Sequence, residues 1–147
     1  MVPTVTLTLA AACAVINLWL AVRVSGGRIR GKVMLGDGGD DKLEAAIRGH
    51  ANFTEYAPFV LILVAVLEFS GASPAWLWVA SLAFVLARIA HGFGITRPAP
   101  NPLRAGGILV TWAVLALLAG WALATAYQEA RVVRIDARSY EAGMPRA

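Results

Sequence analysis

Apolar residues in this chain are gathered into blocks, each long enough to cross a bilayer, for which a helix needs about 20 residues. One of them contains the unbroken run Phe59-Val-Leu-Ile-Leu-Val-Ala-Val-Leu67. Lipid offers no partner to a backbone N–H or C=O, so such blocks must fold as helices that satisfy their own hydrogen bonds. Of the 147 residues, 59% are hydrophobic and 15% charged. A soluble domain carries about 25% charged residues. The chain is therefore read as an all-α integral membrane protein, a four-helix bundle.

The blocks fall at residues 3–22, 42–69, 75–93 and 103–127, forming one four-span domain over 1–130 with a polar tail over 131–147. The N-terminus lacks the positive n-region of a secretory signal, so the first block is expected to be a retained span. Arg23 ends it. The turn Gly36-Asp37-Gly38-Gly39 precedes the second block, with Asp40 or Asp41 as the N-cap of a helix that starts outside the membrane. The uncharged link Ser70-Gly-Ala-Ser-Pro74 suits a tight antiparallel turn, and Pro98, Pro100 and Pro102 separate the last two spans. The tail is expected to extend the fourth helix and fray.

Loop charge sets the expected orientation. The links on one side carry Arg23, Arg28, Arg30, Lys32, Lys42, Arg97 and Arg104, against Arg131, Arg134, Arg138 and Arg146 in the tail on the other. The positive-inside rule then puts both long links in the cytoplasm and both termini outside. Trp76 and Trp78, at the outer start of span three, fit an aromatic belt.

Several function classes are disfavoured. The sequence pI is about 9.8, but the cations are scattered through loops and helix ends with no basic stripe, so no nucleic-acid partner is expected. Cys13 lies alone inside an apolar run and reads as a small buried hydrophobe. His50 and His91 stand on different helices without ligand spacing, so no metal site is expected. Asp37, Asp40 and Asp41 fit a turn and cap better than a calcium loop.

The polar residues inside the spans carry the functional signal. Arg48, Asn52 and Glu55 stand at i, i+4 and i+7 and project from one helix face just before the apolar run. Charge pushed toward lipid is expensive and usually marks a functional site. Counted back from the short second link, Arg88 lies level with Glu55, and His91 with Asn52. Asn17 sits at a comparable level on span one. Pro58 frees the carbonyl of Thr54, and a bend there would open space beside Glu55. Glu68, near the opposite end of span two, has no evident partner and is expected at the interface.

Two readings of this cluster follow. In the first it is a structural network: Arg88 neutralises Glu55, while Asn17 and Asn52 join helices by hydrogen bonds. The second starts from the excess of cations, with Arg48, Arg88 and Arg104 set against Glu55 alone. Surplus positive charge in a half-buried site points to an anionic ligand with carboxylates.

The pattern Arg48-x-x-x-Asn52-x-x-Glu55-Tyr56-x-Pro58 resembles the second-span signature of the MAPEG family, membrane-associated proteins in eicosanoid and glutathione metabolism. Ala87-Arg88-Ile89-Ala90-His91, followed by Thr96-x-Pro98-x-Pro100-x-Pro102-x-Arg104, is similar to the third span and following loop of microsomal glutathione transferases. The resemblance covers nearly the whole chain, and the Leu35-Gly36-Asp37-Gly38-Gly39 loop looks like that of bacterial members. It implies a homotrimer of four-helix protomers in a bacterial inner membrane. Glutathione, as co-substrate, would bind between subunits at the cytoplasmic face. Arg48, Asn52, Glu55 and Tyr56 match its contacting positions, Arg28 or Arg30 would supply a first-loop arginine, and Arg104 matches the thiol-activating arginine. Where leukotriene synthase members carry two tyrosines late in the third span, this chain has His91 and Ile95, so part of that wall is altered, with His91 expected as a glutathione contact there.

The activity implied is conjugation, or peroxidase chemistry, between glutathione thiolate and apolar electrophiles arriving from lipid. The rival is a non-enzymatic lipid-binding or scaffold member of the same family. A proton or ion transporter is disfavoured because no second intramembrane carboxylate forms a relay with Glu55.

Overall fold

A computed structural model describes the backbone of residues 2–143 and the side chains as far as Arg131, together with Val133. It contains four helices, α1 (Thr4–Gly31), α2 (Asp41–Phe69), α3 (Pro74–Gly94) and α4 (Pro102–Gly143), and no strand among the described residues. All four are long and apolar enough to cross a membrane. The side chains of the tail arginines Arg134, Arg138 and Arg146 lie outside the described residues.

Two helices run further than their apolar blocks. α1 continues past Arg23 to Gly31, where Lys32 takes the left-handed conformation (φ 53°). There Val33 N donates to Arg28 O at 2.9 Å, using a carbonyl the helix end would leave unpaired. α4 likewise runs on through the polar tail as far as Gly143. Arg23 does not end α1 because charge stops a membrane crossing but not a helix, which good helix formers extend into water. Asp40 is the N-cap of α2, its Oδ1 accepting from Lys42 N at 2.8 Å and Leu43 N at 3.3 Å.

α1 packs on α2 and α3, α4 packs on the same two, and α2 touches α3 across the middle, so α1 and α4 occupy opposite corners. The core repeats at helical spacing: Val5, Leu9, Ile16 and Leu20 on α1, Phe53, Val60 and Val64 on α2, Leu77 and Phe84 on α3, Val114 and Leu118 on α4. α3 and α4 approach closely because glycines stand at their seam. A Cβ on Gly107 would lie 2.6 Å from Ala87 O and 2.8 Å from His91 Cβ. Gly107→Ala is therefore expected to lower stability by about 1–3 kcal/mol in detergent melts, since backbone cannot step aside. Gly106→Ala, with nothing within 4 Å, is the control and is expected to be neutral or stabilising.

Glu68 departs from the interface exposure expected of it. It is buried at 8% exposure, and it caps α1 from the end of α2. Its Oε1 accepts from Val5 N at 2.9 Å, and its Oε2 from Thr6 N at 2.8 Å and Thr6 Oγ1 at 2.6 Å. Pro3 precedes α1 and offers no capping side chain. The orphan N–H groups at the helix start, which lipid cannot satisfy, take the carboxylate instead.

Candidate functional site

The second helix places the polar strip by its rotation. Phe53 faces the core, and Glu55, two residues on, is turned about 200° around the axis. Arg48 and Glu55 are accordingly exposed on the outer side of the protomer, while Asn52 and Tyr56, nearer the core, are half-buried beside α4. Tyr56 is fixed there, its hydroxyl accepting from Trp112 Nε1 at 3.0 Å.

Arg88 is 1% exposed and turns inward, away from Glu55. Its Nη2 donates to Asn52 Oδ1 at 2.9 Å and its Nη1 to Thr111 Oγ1 at 3.4 Å. The guanidinium also lies over the Phe53 ring, 5.8 Å from its centroid. Thr111 can receive this contact because its own proton goes to Gly107 O at 2.8 Å. The expected Arg88–Glu55 pair is thus replaced by hydrogen bonds from the guanidinium to uncharged groups, tying α2, α3 and α4 together. Asn17 belongs to a different contact: its Oδ1 meets His50 Nε2 at 2.9 Å, joining α1 to α2.

Arg104 stands in the first turn of α4, and three features hold that turn. Asn101 Oδ1 accepts from Leu103 N at 3.0 Å and Arg104 N at 3.3 Å, an N-cap. Gly94 lets α3 press against the turn, since a Cβ there would collide with the backbone of Arg104. The carbonyl of Arg104 lies 3.1 Å from His91 Nδ1. A carbonyl only accepts, so Nδ1 carries the proton, and in the neutral ring Nε2 holds a lone pair. That Nε2 is buried without a partner among the described residues. His91, 4% exposed, therefore supports Arg104 from behind and does not line an open surface, whereas the Arg104 side chain is exposed.

Arg23, read from sequence only as a loop charge, has a structural position. Its Nη1 donates to Gly92 O and its Nη2 to Thr96 Oγ1 at 2.9 Å, so α1 clamps the end of α3. It also lies over the ring of Trp19, 5.2 Å from its centroid. The i, i+4 spacing of Trp19 and Arg23 was the available signal. The two arginines expected in the first loop lie instead in the last turn of α1, because that helix runs on past Arg23; Arg28 Nε reaches Gly36 O at 3.4 Å, and Arg30 is exposed. Both lie on the loop end of the bundle, where α4 also begins.

Fold and site together define an integral membrane helical bundle with a polar strip turned out of one side. The chain belongs to the MAPEG family, which it matches over residues 6–124. It is similar to inner membrane protein YecN of Escherichia coli K12 and of E. coli O6:H1. Each is 31% identical over 91 residues, or 62% of this chain and 69% of the relative.

Proposed function

We propose that this protein is a glutathione-dependent transferase or peroxidase of apolar electrophiles, working as a homotrimer in a bacterial inner membrane. The observation that carries the reading is the outward strip. Arg48, Glu55 and Arg104 are exposed at the loop half of the bundle, and their side chains make no hydrogen bond among the described residues. Charges at membrane depth need partners, and a neighbouring protomer with a zwitterionic ligand between them supplies these.

Glutathione has two carboxylates, an amine and a thiol. Arg48 with Arg28 or Arg30 would take the carboxylates and Glu55 the amine, while Asn52 and Tyr56 border the peptide. Asn52 is held for this by Arg88, and Tyr56 by Trp112. Arg104 beside the sulfur would favour thiolate, the nucleophilic form, and no protein side chain need attack. His91 contributes by fixing the turn that bears Arg104. The electrophile would arrive through the lipid. With both long links in the cytoplasm, the strip opens to the compartment that holds glutathione. Bacterial inner-membrane residence follows the naming of the E. coli relatives.

Adding glutathione to the purified protein should raise thiolate absorbance near neutral pH, and Arg104→Ala should remove that rise while binding persists. Absence of binding at millimolar glutathione would sink the proposal. The second reading, a non-enzymatic lipid-binding or scaffold member, is favoured by one observation: the Arg88–Asn52–Thr111 network absorbs part of the polar cluster without any ligand. It wins if Arg48→Ala and Arg104→Ala lose folding and trimerisation with no ligand effect.

A further inference from the structure

A second cationic site lies on the other side of α2, outside the strip. Between α1, the first turns of α2 and Thr96 is a cavity of 680 Å³ lined by Arg23, Arg30 and Lys42, with Asp40 as its carboxylate. Ala46 also lines it, and Arg48, two residues on, points about 200° away. The space exists because α1 presents bare backbone there at Gly26 and Gly27. A Cβ on Gly27 would come 2.8 Å from Leu43 Cδ1, and one on Gly26 would come 3.4 Å from Arg30 Nη1. The guanidinium of Arg30, seven residues and about two turns beyond Arg23, thus lies back along the helix over Gly26.

The charges in this cavity do not cancel. Asp40 spends Oδ1 on two α2 backbone N–H groups, and both Nη atoms of Arg23 bond to neutral oxygens. Three cations therefore face one carboxylate. The level is also informative: Val22, 60% exposed, lines the same cavity at the point where the apolar part of α1 gives way to charge. A ligand seated here has its anionic end among the basic groups and can continue down an apolar helix face into lipid.

We propose that this cavity binds the phosphate of an anionic phospholipid. Basic pockets between membrane helices at headgroup level recognise such groups by charge and by Arg–phosphate hydrogen bonds. A soluble phosphate ester shares the chemistry but makes no use of Val22. Arg30 is the one lining residue that the glutathione reading also names, as an alternative to Arg28; Lys42 and Gly26 take no part in that reading, so the two can fail separately.

The test uses the full chain in a zwitterionic detergent, with bound lipid counted by native mass spectrometry. The added ligands are phosphatidylglycerol, phosphatidylcholine or glycerol 3-phosphate. Phosphatidylglycerol is expected to bind and phosphatidylcholine is not. Lys42→Glu should weaken phosphatidylglycerol roughly tenfold, from the loss and reversal of one near-surface charge. Gly26→Leu should abolish it by filling the space, in a helix position where leucine is favoured over glycine. Lys42 is exposed, so its variant keeps the fold and carries the test even if Gly26→Leu does not. Equal binding of the two lipids, or wild-type affinity in Lys42→Glu, overturns the proposal. So does displacement of the lipid by equimolar glycerol 3-phosphate, which would assign the site to a soluble ester.

Discussion

Arg88→Ala is expected to destabilise the bundle by about 3 kcal/mol, whereas Glu55→Gln should change stability by less than about 0.5 kcal/mol. The difference follows from where each side chain lies. Arg88 fills core volume at 1% exposure and supplies the hydrogen bond to Asn52 and the contact with Thr111. Truncation leaves a cavity and strips Asn52 Oδ1 of its donor, and these two penalties add. Arg88→Met keeps the volume but not the hydrogen bonds, so it should fall between, at about 1–2 kcal/mol. Glu55 is exposed on the far side of α2 and gives up no core contact. Thermal or denaturant melts of the three variants in one detergent decide the matter. Equal losses for Arg88→Ala and Glu55→Gln would restore an ion pair between them and refute the inward orientation of Arg88.

Glu68→Ala should be comparably damaging, by about 3 kcal/mol, although the residue is far from the strip. The carboxylate takes three hydrogen bonds from the start of α1, two of them from backbone N–H groups of Val5 and Thr6. Exposed capping residues contribute about 1 kcal/mol because water can replace them. Here the contact is shielded by the fold, with Val5 0% and Glu68 8% exposed, and Pro3 has nothing to offer instead. Glu68→Gln keeps one strong acceptor and should lose roughly half as much. Melts report the total. Amide exchange at Val5 and Thr6 localises it, because loss of the cap should speed exchange there while the core of α1 stays protected. Unchanged exchange at those two amides would show that the cap is not what Glu68 provides.

These two residues show where sequence reasoning reached and where it stopped. Depth counting put Arg88 level with the polar strip of α2, and it does engage that strip, at Asn52. It chose the wrong partner, the Glu55 carboxylate in place of the Asn52 amide, because level along a helix says nothing of rotation about it. For Glu68, the partners are more than sixty residues away on α1. The antiparallel order of the first two spans already brings that end of α2 to the start of α1, and Pro3 marks a helix start lacking its own cap. The clamp formed by Arg23 was hidden for a related reason. A cation ending an apolar run is an ordinary topology signal, and only the packing of α1 against α3 brings Gly92 O and Thr96 within its reach.

Hydropathy and length by themselves determined that this chain is helical, that it makes four membrane-length helices, and at which end its charges gather. Those properties belong to single segments and survive whatever neighbours a segment has. The motif residues were enough to name the family that the match over residues 6–124 shows. The tertiary structure alone decided which polar groups are spent within the protomer and which are turned outward. That division depends on the rotation of each helix and on which helices share a seam. Both are set jointly by the packing of all four helices, with the glycines of α3 and α4 drawing their seam tight. Arg48, Glu55 and Arg104 are left facing out because the core side of their helices is already filled.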